Sequence, residues 1–232
     1  MDRIGKLRMP ATLDGALSQS ERFPRRSRRK EETRQRIIDS AEALFRKVGF
    51  TETTMLAIAE AADVHITTLF THFKSKRDLS DAISERVLQG LRAAIEANRG
   101  KRPFFVFMRR LTETVGREHM RRASHNLAMG RLFGADEDFT ASWMTYERRQ
   151  IEMLAVYIAE DFGLNLAQDF RPSLIANMIV GGNIMVHHRW VESDGELDLV
   201  AESLAMLDAV EALVTRGLAP TGDGWKPTRP DE

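Results

Sequence analysis

Between residues 32 and 98 the apolar positions recur every three or four residues, a period that predicts helices and no strands. Ile37, Ile38, Ala41, Leu44, Phe45 and Val48 line one face of a first helix, which Gly49 ends. Thr54 is placed to cap a short second helix over 55–62, with Ile58, Ala59 and Ala62 as its narrow apolar stripe. Asp63 and Val64 form a tight connection to a third segment. Ser75 and Asp78, three apart, then set a capping box at the start of a fourth helix over 76–98. Beyond Gly100 and Pro103 the same period predicts helices over 103–122, 124–133, 138–161, 172–192 and 197–216. The class is all-α.

The third segment sits in the stretch DVHITTLFTHFKSKRDL, residues 63–79. On a helix, Ile66, Leu69, Phe70 and Phe73 share one arc, while Thr67, Thr68, Thr71 and His72 occupy the other. Solvent-facing helix positions ordinarily carry Glu and Lys, and Thr is a poorer helix former. A long helix followed by two short ones across a turn of a few residues is helix-turn-helix geometry, in which the last helix enters the major groove. Thr hydroxyls and methyls and a His ring N–H suit base edges, and Lys74, Lys76 and Arg77 just beyond suit phosphates.

The chain has 232 residues, enough for a small module joined to a larger one. Lys plus Arg and Asp plus Glu each number 34, so any charge signal is local. One local signal is Arg25 to Lys30, RRSRRK, which includes Arg28 and Arg29. It reads either as a solvated tail or as an arm lying on DNA backbone or in a minor groove. With no cysteine, disulfides and thiolate chemistry are excluded. No apolar run spans a bilayer and the N-terminus lacks a secretory pattern, so a cytoplasmic location is expected. No His has Glu three residues before it, and no phosphate loop or nucleophile elbow is present, so neither a metal, a cofactor nor a catalytic residue is expected.

The segments TRQRIIDSAEALFRKVGF, TTMLAIAEAADV and HITTLFTHFKSKRDL, over about residues 32–83, resemble the tetracycline-repressor-like (TetR/AcrR) transcriptional regulators in order and spacing. The resemblance implies an N-terminal three-helix DNA-binding domain and a larger helical regulatory and dimerisation domain. The expected division is a basic leader over 1–27, a DNA-binding domain over 28–75, a ligand-binding and dimerisation domain over 76–216, and a tail over 217–232. By resemblance, Thr54, His65, Thr67, Thr68, Phe70, His72 and Lys76 stand at positions used for DNA contact; Arg28, Arg29 and Lys74 join them as basic neighbours. Three departures stand out. Asp63 replaces a frequent Gly, His65 replaces a common Ser and so weakens the expected cap, and Phe70 replaces a Tyr whose hydroxyl reaches phosphate.

The resemblance also implies a pocket for a small, mostly apolar effector between helices five and eight. Met and aromatic residues at helical spacing most often simply pack. His119, Phe133, Trp143, Tyr146, Asn183 and His187 combine bulk with a polar tip and are the expected lining. A homodimer is expected through the last two helices, with Ile175, Ile179, Gly182 and Val186 on one stripe and Leu204, Leu207, Val210 and Val214 on the other. The expected function is sequence-specific repression from a palindromic operator on double-stranded DNA, relieved by the effector. The rival is a ligand-independent dimeric DNA-binding or architectural protein.

Overall fold

The computed structural model describes residues 24–216, which form nine helices with no strand among the described residues. The leader up to residue 23 and the tail over 217–232 lie outside the described residues. The chain divides into two units after Arg36. The first contributes the opening turns of α1 (Pro24–Val48), so the helix already includes residues 24–27, which the sequence assigned to the leader. Arg28 there pairs with Glu32 one turn on, at 3.3 Å and well exposed, and Arg29 is exposed too.

The second unit holds the remainder of α1 and eight more helices. α2 (Met55–Ala61) and α3 (Ile66–His72) are followed by α4 (Lys76–Asn98), α5 (Phe104–Arg121), α6 (Ala123–Gly130), α7 (Glu137–Asp161), α8 (Arg171–Glu192) and α9 (Leu199–Arg216). Gly49, at φ +102°, turns the chain out of α1 in a backbone conformation that L side chains rarely adopt. Asp63 takes φ +50°, the left-handed conformation that Asp tolerates better than most residues. Val64 N–H then donates to the Ala59 carbonyl at 3.0 Å, closing the end of α2.

Three apolar clusters organise this unit, the smallest being Leu127, Val186, Trp190 and Leu199. The first gathers Ile37, Ala41, Phe45, Phe50, Ile58, Leu69 and Leu79, and α7 adds Phe139 to it. Asp136 caps α7 by accepting from Phe139 N–H at 2.9 Å, which fixes where that ring enters. The second, larger core is built from α4, α5, α7, α8 and α9, around Phe104, Leu154, Ile158, Ile175, Ile179 and Leu207. α7 packs on α4 and α8, and α9 on α5 and α8. Among the described residues no helix is long and apolar enough to cross a membrane.

Six of the eight residues expected at the dimer contact turn inward instead. Ile175, Ile179, Val186, Leu207, Val210 and Val214 are buried within the protomer, and Leu204 is half-buried. Their helical spacing marked the apolar face of each helix correctly, but that face closes the protomer's own core. Gly182 belongs to the same packing: a Cβ there would lie 2.5 Å from Met206 Sδ, so its missing side chain lets α8 and α9 approach. The outward face of these helices is a different set. Leu174, Gly181 and Met185 on α8 and Ala205, Ala209 and Leu213 on α9 are exposed at helical spacing.

Candidate functional site

The polar arc of α3 is displayed as its composition suggests. Leu69 and Phe73 are buried, Ile66, Thr68 and His72 are half-buried, and Thr67 and Thr71 are exposed. Phe70 departs from the packing arc expected of it: at 41 % exposure its ring stands on the outer side, because the small head core is filled by Leu69 and Phe73. His65 also departs from expectation. Its Nδ1 accepts from Thr67 N–H at 3.3 Å and meets Thr67 Oγ1 at 2.8 Å, so the imidazole caps α3 as a Ser would. Thr71 Oγ1 donates to the Thr67 carbonyl at 2.9 Å. With these hydroxyl protons held locally, the arc offers lone pairs and methyl groups outward, which match base amino groups and the thymine methyl.

The neighbours are fixed by caps. Thr54 accepts from Ala57 N–H at 3.1 Å and starts α2. Ser75 accepts from Asp78 N–H at 3.1 Å, while Asp78 accepts from Lys74 N–H at 2.7 Å, a reciprocal pair that starts α4. Lys74 Nζ donates to the Phe70 carbonyl at 2.8 Å, at the negative end of α3. Lys76 is held more firmly. Its ammonium donates to the Phe50 and Thr51 carbonyls at 2.9 and 3.0 Å and lies 4.8 Å from the Phe50 ring centroid. One N–H of its three remains to be directed elsewhere.

In the larger helical assembly, α4, α5, α7, α8 and α9 line an open cavity of about 490 Å³. His119, Trp143, Tyr146, Asn183 and His187 line it, together with an apolar wall that includes Leu91, Met108, Leu111 and Val115. Phe133 does not line it. That ring lies in a small neighbouring cleft, 5.3 Å from His188 and 6.5 Å from Trp143 between centroids. Sequence reasoning missed Glu147, Gln150, Thr112 and Ser203, which also line the cavity. Glu147 and Gln150 stand four and seven residues after Trp143, on the same helical face, and that spacing was the available signal.

His119 and His187 meet through their Nε2 atoms at 3.2 Å, so one ring donates and the other accepts. Burial, followed by the charge of His187, pulls the His119 imidazole down to about 4. Burial also lowers His187, with His188 adding to it. On the facing helix, burial raises the Glu147 carboxyl and the Tyr146 phenol. Trp143 Nε1 donates to Glu147 Oε1 and holds that carboxylate against the ring.

Residues 37–83 match the bacterial regulatory proteins of the tetR family. The chain is 30 % identical over 195 residues to the HTH-type transcriptional regulator TcmR of Streptomyces glaucescens, covering 81 % of this chain and 85 % of that protein. It is similar to FadR of Thermus thermophilus, a TetR-family transcriptional repressor solved with lauroyl-CoA, at 25 % identity and a TM-score of 0.61 over 82 % of this chain and all of that one. FadR of Bacillus subtilis, solved with stearoyl-CoA, shares the fold at 20 % identity and a TM-score of 0.57, over 76 % of this chain and 96 % of that one. These relatives are regulators and not enzymes. With its helix-turn-helix head and all-helical body, the chain belongs to the tetR family of transcriptional regulators.

Proposed function

We propose that the protein is a homodimeric repressor that binds a palindromic operator through α3 and leaves it when a small, mostly apolar effector fills the cavity. The observation that carries this reading is the outward arc of α3, where Thr67, Thr71 and the His65 cap stand exposed on a helix whose other face is buried. Residues 28–75 act as the DNA-binding domain and 76–216 as the effector and dimerisation domain, in the cytoplasm where the DNA is. The resemblance to the lauroyl-CoA complex of Thermus FadR supports a ligand with a large apolar body.

The outward face of α8 and α9, whose exposed Leu174, Met185 and Leu213 suit a four-helix contact, supports pairing of two copies. A two-fold dimer presents its recognition helices about 34 to 36 Å apart, one turn of DNA. α4 is the lever: its N-terminus is tied to the head through Lys76, and further along Val87, Gly90 and Leu91 line the cavity. A shift in that helix changes the spacing of the two heads.

Selection of bound fragments from random duplex DNA tests the reading, and inverted half-sites are the expected product. Dimeric protein that enriches no motif at moderate salt would refute it. Effector and operator must also weaken each other by the same factor, which is measurable in both directions.

A further inference from the structure

The charges of the cavity wall are one-sided. Glu147 is the sole Asp or Glu among the residues that line it, and no Lys or Arg lines it. The carboxylate sits at a corner made by two aromatic rings, Trp143 and Tyr146, whose centroids are 6.1 Å apart and whose planes meet at 57°. Trp143 Nε1 donates one hydrogen bond to Glu147, which leaves the remaining lone pairs of the carboxylate for a ligand. Opposite, the His119 and His187 rings are bonded to each other and lowered by burial, so they supply no positive charge at neutral pH. A half-buried carboxylate with no Lys or Arg beside it on the wall favours a cation in the cavity and disfavours an anion. Aromatic faces add to the same preference, because their negative π-surfaces attract cations.

We propose that the cavity takes a bulky aromatic organic cation, its charge set against Glu147 and its rings against Trp143 and Tyr146. The inference rests on reading the cavity as the effector site. The remaining wall, with Leu91, Met108 and Leu111, supplies apolar surface for the body of such a ligand. Gln150, one turn from Glu147, adds a neutral acceptor and donor on the same side.

Tetraphenylphosphonium and tetraphenylborate have nearly the same size and shape and opposite charge, so they isolate the sign of the preference. Calorimetric titration of the full-length protein should show the phosphonium binding tighter by about tenfold or more. Glu147→Gln should remove most of that preference, leaving the smaller share due to the aromatic faces, and Gln150→Glu, which adds a second carboxylate to the wall, should increase it. Thermal melts of each variant report on folding separately. Equal or tighter binding of the borate, a cation preference undiminished by Glu147→Gln, or binding of neither ion would overturn the assignment. Operator titrations separate this from the parent reading. If the phosphonium binds through Glu147 and leaves operator affinity unchanged, the cation site stands and the effector reading fails. If a neutral or anionic compound releases the operator while the phosphonium does not bind, the effector reading stands and the cation assignment fails.

Discussion

Phe139 of α7 lies edge-on to Phe50, the residue that follows the turn out of α1, with ring centroids 5.7 Å apart at 60°. Phe139 is also 6.1 Å from Trp143, which lines the cavity, and Phe50 lies beneath the Lys76 ammonium at the start of α4. The rings thus form a packed path from the cavity wall to the base of the DNA-binding head. Replacing Phe139 by Leu should loosen effector control more than it weakens operator binding. A double-mutant cycle with Phe50→Leu should show a coupling of roughly 0.5 to 1.5 kcal/mol in unfolding free energy. Additive losses would mean that the two rings merely share a core.

Lys76 has a structural task whatever it does at DNA. Lys76→Ala removes two donors from the Phe50 and Thr51 carbonyls together with a cation over a ring, and should cost roughly 1 to 2 kcal/mol in urea unfolding. A contact with phosphate would in addition lower the salt dependence of DNA binding by about one counterion. Thr67→Ala and Thr71→Ala instead should weaken binding to the selected operator by about 1 to 3 kcal/mol while leaving non-specific binding unchanged. Competition with operator and random duplex at two salt concentrations separates these outcomes.

The two adjacent glycines of α8 should behave differently. Gly182→Leu drives a side chain into Met206 and should destabilise the protomer by about 1 to 3 kcal/mol. Nothing lies within 4 Å of a Cβ built on Gly181, which faces outward. Met185→Glu on that same face should therefore convert dimer to monomer in light scattering, with little change in the melting of the isolated protomer. A dimer unaffected by Met185→Glu would move the contact elsewhere.

Stability should fall as the solution is acidified. His119 is lowered to about 4, below the ordinary value near 6.5, so the unfolded chain binds its proton first. The contribution is therefore fully present above about pH 6.5, is lost progressively as pH falls towards about 4, and amounts to roughly 1 to 3 kcal/mol. His187, lowered for the same reason of burial, adds to the same slope. Denaturant unfolding of wild type and His119→Gln at pH 7.5 and 5.0 checks this. The variant should show the shallower dependence.

Local chemistry accounts for what the sequence determined by itself. Apolar spacing marked the helices to within a residue or two through most of the body, and the boundaries of α4 matched those read from Ser75 and Asp78, because caps and periods act over four residues or fewer. The displayed Thr arc of α3 was legible for the same reason: a helix face that avoids Glu and Lys declares itself within two turns. What only the tertiary structure decided was the partner of each face. Ile175, Ile179 and Val210 show an apolar stripe, but a stripe does not say whether it meets another helix of its own chain or of a second copy, and here it meets its own. His119 and His187 are 68 positions apart, so their contact depends on how α5 and α8 cross. The same holds for Glu147, an ordinary surface residue by composition, which the packing of five helices places half-buried beside two aromatic rings on a wall that carries no Lys or Arg.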